Sequence, residues 1–151
     1  MDVDPARLPL GFLLNTLGRL VLEETQEQLA GADVGVIELG ILWLVDLAPG
    51  HLQSDYARFQ HRDVTTFGRY VDKLEDKGLI LRNAVPDDRR AKALSLTRKG
   101  QALLRQLRKR AEKAEKAVVG GESEAMLTRV KAFLVGRLEA HDSAGRESGS
   151  K

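Results

Sequence analysis

Thr65, Thr66, Arg69 and Lys73 are spaced so that they fall off the apolar side of a single helix. A basic run, Arg89-Arg90-Ala91-Lys92, follows the turn residues Pro86-Asp87-Asp88. Guanidinium and ammonium groups so arranged neutralise phosphates, and an arginine on a helix can also grip guanine through two parallel hydrogen bonds. A threonine offers a methyl group to a thymine methyl. The chemistry on offer is recognition of a nucleic acid duplex by two probes, a polar-faced helix and a basic hairpin. A reading helix enters the major groove N-terminus first, which places Asp63, Thr65, Thr66 and Arg69 near base edges. Arg58, Arg62 and Lys73 are better suited to phosphates. Asp88, two residues before Arg90, is expected to form an ion pair that holds the hairpin tip, with Arg90 directed into a narrow minor groove.

Other chemistries have little support. His51, His61 and His141 are scattered, and none has a second ligand at i, i+4, so no metal-binding helix is expected. The chain contains no cysteine, which excludes disulfides, thiolate metal sites and thiol redox sensing within it. Gly120-Gly121 reads as a break between helices, not as a phosphate cradle. Ser54 and Ser95 have no base close in sequence. Neither an enzyme nor a cofactor is expected.

At 151 residues the chain is one domain, and 42% apolar residues are enough for a core. Only 5% are aromatic, which favours a helical protein. The net charge of +2 hides an asymmetry. Residues 1–50 hold two arginines against eight Asp and Glu, whereas residues 89–116 hold eleven Lys and Arg against Glu112 and Glu115. Such a split points to a polyanion as partner for part of the surface, although a solvated basic helix would show the same pattern. The start, MDVDPARLPLGFLL, lacks the basic region of a signal peptide. No apolar run approaches the ~20 residues of a membrane span. A cytoplasmic protein with no membrane partner is expected.

Those probes need elements to hold them. Residues 8–29 predict a first helix with a broad leucine face, wide enough to meet a second subunit as well as the core. Residues 34–47 predict a second helix, apolar nearly all round and therefore central, with Asp33 as its cap. Residues 52–59 predict a short third helix capped by Ser54, and Gln60-His61-Arg62 a turn. The next helix starts from Asp63 as its cap and carries Val64, Phe67, Val71 and Leu74 on one apolar face. Gly78 ends it. Leu79-Ile80-Leu81 and Ala93-Leu94-Ser95-Leu96 predict a hairpin. Thr97 caps a helix over 98–119 whose Leu104, Leu107, Ala111, Ala114 and Val118 form a narrow seam for another helix. Residues 122–140 predict a last helix, and 141–151 a disordered tail. The fold expected is mainly α (α+β by strict count). It is a winged helix-turn-helix over 34–100 with N- and C-terminal dimerisation helices at 8–30 and 98–140, all in one unit of 1–140. Long apolar seams on the terminal helices point to a homodimer.

The stretch VDKLEDKGLILRNAVPDDRRAKALSLTRKG resembles the winged helix of the MarR family of bacterial transcriptional regulators. The resemblance is carried by Leu74-Glu75, Lys77-Gly78-Leu79-Ile80, Arg82, Pro86, Asp88-Arg89-Arg90-Ala91-Lys92, Leu96-Thr97 and Gly100. Upstream, Gln53-Ser54 and Ala57 match the first motif helix, and Thr65, Thr66 and Arg69 match the recognition helix. The resemblance implies a homodimer that binds double-stranded DNA at a pseudo-palindromic operator, usually as a repressor released by a small, commonly aromatic, ligand. The candidate DNA-binding residues are then Ser54, Arg58, Arg62, Asp63, Thr65, Thr66, Arg69, Lys73, Asp88, Arg89, Arg90 and Lys92. Arg19, Trp43 and His51 are weak candidates for a ligand site. The chain departs from the family in four places. Gln60-His61 replaces a Leu-Gly turn, which is tolerable if His61 avoids a left-handed conformation. Arg62 replaces an apolar residue, Val64 a polar one, and Gly68 a side chain of the reach needed for a groove contact. These changes bear on operator choice more than on DNA binding. A dimeric ligand-binding or docking module of the same fold, without operator recognition, is the alternative.

Overall fold

The computed structural model describes Asp4 and residues 7–85 and 88–148, with the backbone alone at 89, 90 and 142–148. The chain runs α1 (Leu10–Gln28), α2 (Val36–Leu47), α3 (Gln53–Phe59), α4 (Val64–Asp76), β1 (Ile80–Val85), β2 (Asp88–Leu96), α5 (Arg98–Val119) and α6 (Glu124–Ser148). β1 and β2 form a two-stranded antiparallel sheet. The architecture is the expected winged helix-turn-helix with long helices before and after it.

α2 is the centre because its sequence leaves no polar face. It packs against α1, α3, α4, α5 and β2. Leu39, Ile41, Leu42 and Val45 are buried with Phe67, Val71 and Leu74 of α4, Leu79, Ile80 and Leu94 at the hairpin root, and Leu104 and Leu107 of α5. The α5 seam lies along α1, the helix-to-helix pairing that its heptad spacing anticipated. The outer faces of α1 and α6 stay open: Phe12, Leu17, Met126 and Phe133 are all exposed.

The helix ends separate local from tertiary causes. Asp63 and Thr97 cap as expected, accepting from Thr66 N–H at 2.8 Å and Gly100 N–H at 2.9 Å. Gly78 ends α4 with φ +67°. Asp33 does not cap α2. Gly35 holds that position, its N–H donating to Glu38 at 2.8 Å, while Asp33 pairs with Lys77 at 3.7 Å. Nor does Ser54 cap α3. Leu52 holds that position, its N–H donating to Asp55 at 3.2 Å, and Ser54 lies inside the first turn. In both cases an acidic residue three positions into the helix satisfies an end N–H more directly than the expected cap.

Two further boundaries differ from expectation. The strands extend well beyond 79–81 and 93–96, because only the root positions of the ribbon face the core and the outer ones need not be apolar. Residues 141–148, expected to be disordered, continue α6. That stretch holds Ala144, Arg146 and Glu147, contains no proline, and its His141 ring meets the His61 ring edge-on at 5.1 Å. Residues 149–151 lie outside the described residues.

One glycine locks the wing to α5. A Cβ at Gly100 would stand 2.1 Å from the Leu79 carbonyl oxygen, which also accepts from Thr97 N–H at 3.0 Å. Gly100→Ala is therefore expected to destabilise the fold by about 1–3 kcal/mol, the usual cost of overpacking. Urea unfolding measures it, and an unchanged midpoint would show that the α4–β1 corner yields freely.

Candidate nucleic-acid interface

The site begins with the phase of α4. Phe67, Val71 and Leu74 are fully buried, which forces Thr65, Thr66, Arg69 and Lys73 outward, and all four are exposed. Lys73 places its ammonium 5.7 Å from the Tyr70 ring. The Asp63 carboxyl is held below its ordinary range by the Thr66 N–H it accepts from, and further by the nearby Arg69 charge. Its capping contribution is thus present at neutral pH and fades as acid protonates it. On α3, Arg58 is exposed and pairs with Asp55 at 3.3 Å, and Arg62 is exposed in the turn. These cations and threonines are all exposed on the helix-turn-helix.

Three residues sit differently from the sequence expectation. Val64 does not join the apolar face of α4. It is 49% exposed, because the first turn of the helix projects beyond the core that Phe67 reaches. Gly68 does not simply leave a gap in a reading surface. A Cβ there would lie 3.1 Å from Gln53 Nε2, so this position faces α3. His61 does not avoid the left-handed conformation: its φ is +48°, the one positive value among described non-glycine residues. The turn keeps the backbone shape that glycine would favour, and a histidine bears the cost of about 1–2 kcal/mol.

The wing is fixed to α4 by Arg82. Its guanidinium donates to Glu75 at 2.5 Å, Asp72 at 2.6 Å and Gln53 at 3.0 Å, and reaches the Gly68 carbonyl oxygen at 3.4 Å. Burial alone would lower its pKa, but the two carboxylates outweigh that and raise it. A second tie joins the wing to the α2–α3 connection. Leu94 N–H donates to the His51 carbonyl at 3.0 Å, Gly50 N–H donates to the Leu94 carbonyl at 2.9 Å, and Leu52 bridges to Ala93. Neither Arg82 nor Gln53 was singled out from sequence as a site residue, because each acts through partners on other elements. Towards the tip, the ladder shifts register between Ala84 and Val85. Asp88 accepts from Ala91 N–H at 3.1 Å, within the irregular stretch between its pairing with Val85 and that of Lys92 with Ala84. The expected ion pair with Arg90, and the side chain of Arg89, lie outside the described residues. Lys92 is exposed, and with Ser54, Val64 and Asp88 it lines a cleft of about 340 Å³ between wing and helices.

The weak ligand candidates have separate neighbours. Arg19 pairs with Glu23 at 3.8 Å on α1. Trp43 lies under Arg108, whose guanidinium carbon is 4.8 Å from the ring centre. His51 meets the Tyr56 ring at 6.2 Å. The described contacts do not bring the three together. Among the described residues no cluster of three or more metal-binding side chains occurs, and no helix is long and apolar enough to cross a membrane.

Residues 38–92 match the MarR family. The chain is 32% identical to the HTH-type transcriptional repressor Mb2911 of Mycobacterium bovis over 126 residues, 82% of this chain and 84% of that one. It is 28% identical to the HTH-type transcriptional regulator Hpr of Geobacillus sp. WCH70 over 109 residues, 72% of this chain, and spans about half (54%) of that protein's length. Among solved structures, CouR of Rhodococcus jostii RHA1 bound to p-coumaroyl-CoA is 27% identical, with a TM-score of 0.74 over 85% of this chain and 90% of that one.

Two substitutions test the geometry. Arg82→Met should destabilise the protein by about 1–2 kcal/mol, since charged hydrogen bonds are lost but Asp72 and Glu75 are partly solvated. Amide hydrogen exchange in β1 and β2 should rise more than in α2, and equal change in both would count against a clamp specific to the wing. His61→Gly should relieve the left-handed strain, offset by the greater freedom of glycine in the unfolded chain, for a net gain of up to about 1 kcal/mol. A loss of stability would show that the ring contact with His141 outweighs that strain.

Proposed function

The chain belongs to the MarR family, and on that premise we propose that it is a homodimeric, sequence-specific DNA-binding regulator of transcription, acting in the cytoplasm as a repressor. The observation that carries this reading is the exposed face of α4, with Thr65, Thr66, Arg69 and Lys73, beside a wing clamped to the same helix by Arg82. α4 enters the major groove by its first turns. There Arg69 pairs with guanine, the threonine methyls and hydroxyls meet neighbouring bases, and Asp63 holds the helix end in register. Ser54, Arg58, Arg62 and Lys73 anchor phosphates on either side. Asp88 shapes the wing, from which Arg89, Arg90 and Lys92 reach the backbone and the minor groove.

The dimer is argued from apolar surface. Phe12, Leu17 and Leu22 of α1 and Met126, Val130 and Phe133 of α6 are exposed, more than a monomer ordinarily leaves to water. A second copy covers them, and the two lobes then address half-sites roughly 10 bp apart on a pseudo-palindrome. Repression is supported by the name of the Mb2911 relative. An aromatic small molecule as the releasing ligand is supported by p-coumaroyl-CoA in the CouR structure.

The test is a binding titration followed by sedimentation. The DNA is a duplex from the region upstream of the protein's own gene, and random duplex is the competitor. Two chains per duplex and clear preference over the competitor are expected. In the same assay Arg69→Ala should relax preference at one position in each half-site, at about 1–3 kcal/mol. Equal affinity for random duplex would favour the docking-module alternative. A monomer at micromolar concentration would remove the dimer. A uniform loss across sequences would reassign Arg69 to a phosphate.

A further inference from the structure

Val64 has no work in the core. It is the first residue of α4 and 49% exposed, while Phe67, Val71 and Leu74 on the same helix are fully buried. Its surroundings are mixed: Thr65 stands beside it in the first turn, and the open cleft it lines is bounded by Gln53, Ser54, Asp88 and Lys92 as well as by Leu52 and Ala91. An isopropyl group at that place neither donates nor accepts a hydrogen bond and gains nothing from water.

The first turn of α4 is the part of the protein that meets base edges if the DNA-binding reading above holds, and this inference rests on it. The floor of the major groove is a pattern of donors and acceptors with one apolar feature, the C5-methyl of thymine. An exposed branched apolar side chain brought there has one complementary partner. We propose that Val64 is a specificity-determining residue whose isopropyl group packs against a thymine methyl in each half-site. Asp63 fixes its position, since the N-cap bond to Thr66 N–H at 2.8 Å sets the direction of the first turn. Gly68, one turn further along the same face of α4, serves the same end, because the close approach of Gln53 there seats α4 on α3.

The experiment uses the full-length protein and a duplex enriched by that protein from a random library. Each thymine is replaced in turn, symmetrically in both half-sites, by deoxyuridine, which removes the methyl and leaves every hydrogen-bonding group in place. One position should show an affinity loss of about fourfold per half-site, the worth of about one buried methyl group. Val64→Ala should bind the thymine and uracil duplexes equally, and Val64→Ile should keep the preference. Circular dichroism confirms that the variants fold, as expected for substitutions at an exposed helix position. If no uracil position distinguishes wild type from Val64→Ala, the assignment is overturned while DNA binding stands. If the library yields no duplex preferred over random sequence, the DNA-binding reading fails and Val64 with it.

Discussion

The direction of the wing depends on one guanidinium acting with the backbone bonds that join Leu94 to Gly50 and His51. A two-stranded ribbon is at best marginally stable by itself, so its orientation must come from what its root touches. Ile80 and Leu94 bury that root, but apolar packing alone sets an angle loosely. Arg82 adds geometry. Its planar fork of donors meets Asp72 and Glu75 on α4 and Gln53 on α3, and it lies against the Gly68 carbonyl oxygen. One side chain of β1 thus ties both helices of the motif to the wing. The absent side chain at Gly68 belongs to the same arrangement, since Gln53 occupies the space a Cβ would approach.

Strain and contact meet at the other end of the motif. The turn between α3 and α4 needs a left-handed residue, and His61 supplies it against its own preference. His61 is also where α6 arrives, through His141. A glycine there would leave the backbone relaxed and α6 without that ring. The turn therefore couples the helix-turn-helix to the long C-terminal helix as well as connecting α3 to α4.

What could be read from sequence divides by the range of its cause. Asp63, Gly78 and Thr97 mark helix ends through bonds that close within a few residues, and all three were legible. So was the outward set of Thr65, Thr66, Arg69 and Lys73, because it follows from helix phase once Phe67, Val71 and Leu74 are recognised as core. Asp33 and Ser54 were misread because Glu38 and Asp55 reach the end N–H groups first. Val64 was misread because periodicity tells which side of a helix a residue occupies, not how far the core extends beneath it. Gly68, Arg82 and Gln53 stood out in the sequence by their resemblance to or departure from the family, but their packing role did not, because each is defined by neighbours on other elements.

The charge asymmetry also changes meaning in three dimensions. Residues 89–116 are strongly basic, which by composition alone favours a polyanion along the whole stretch. Part of that charge is already engaged within the fold. Arg108 donates to Asp46 at 3.1 Å and covers Trp43, Arg110 donates to the Ala30 carbonyl at 2.9 Å, and Lys99 to the Lys77 carbonyl at 2.7 Å. Arg108 in particular is held between an aromatic face and a carboxylate, where a phosphate would have to compete with both. Three of the eight α5 cations thus hold the helix to its neighbours: Arg108 to α2, Arg110 to the connection after α1 and Lys99 to the end of α4. The electrostatic case for DNA is weakest at these three and rests first on the exposed cations of the helix-turn-helix and the wing, Arg58, Arg62, Arg69, Lys73 and Lys92.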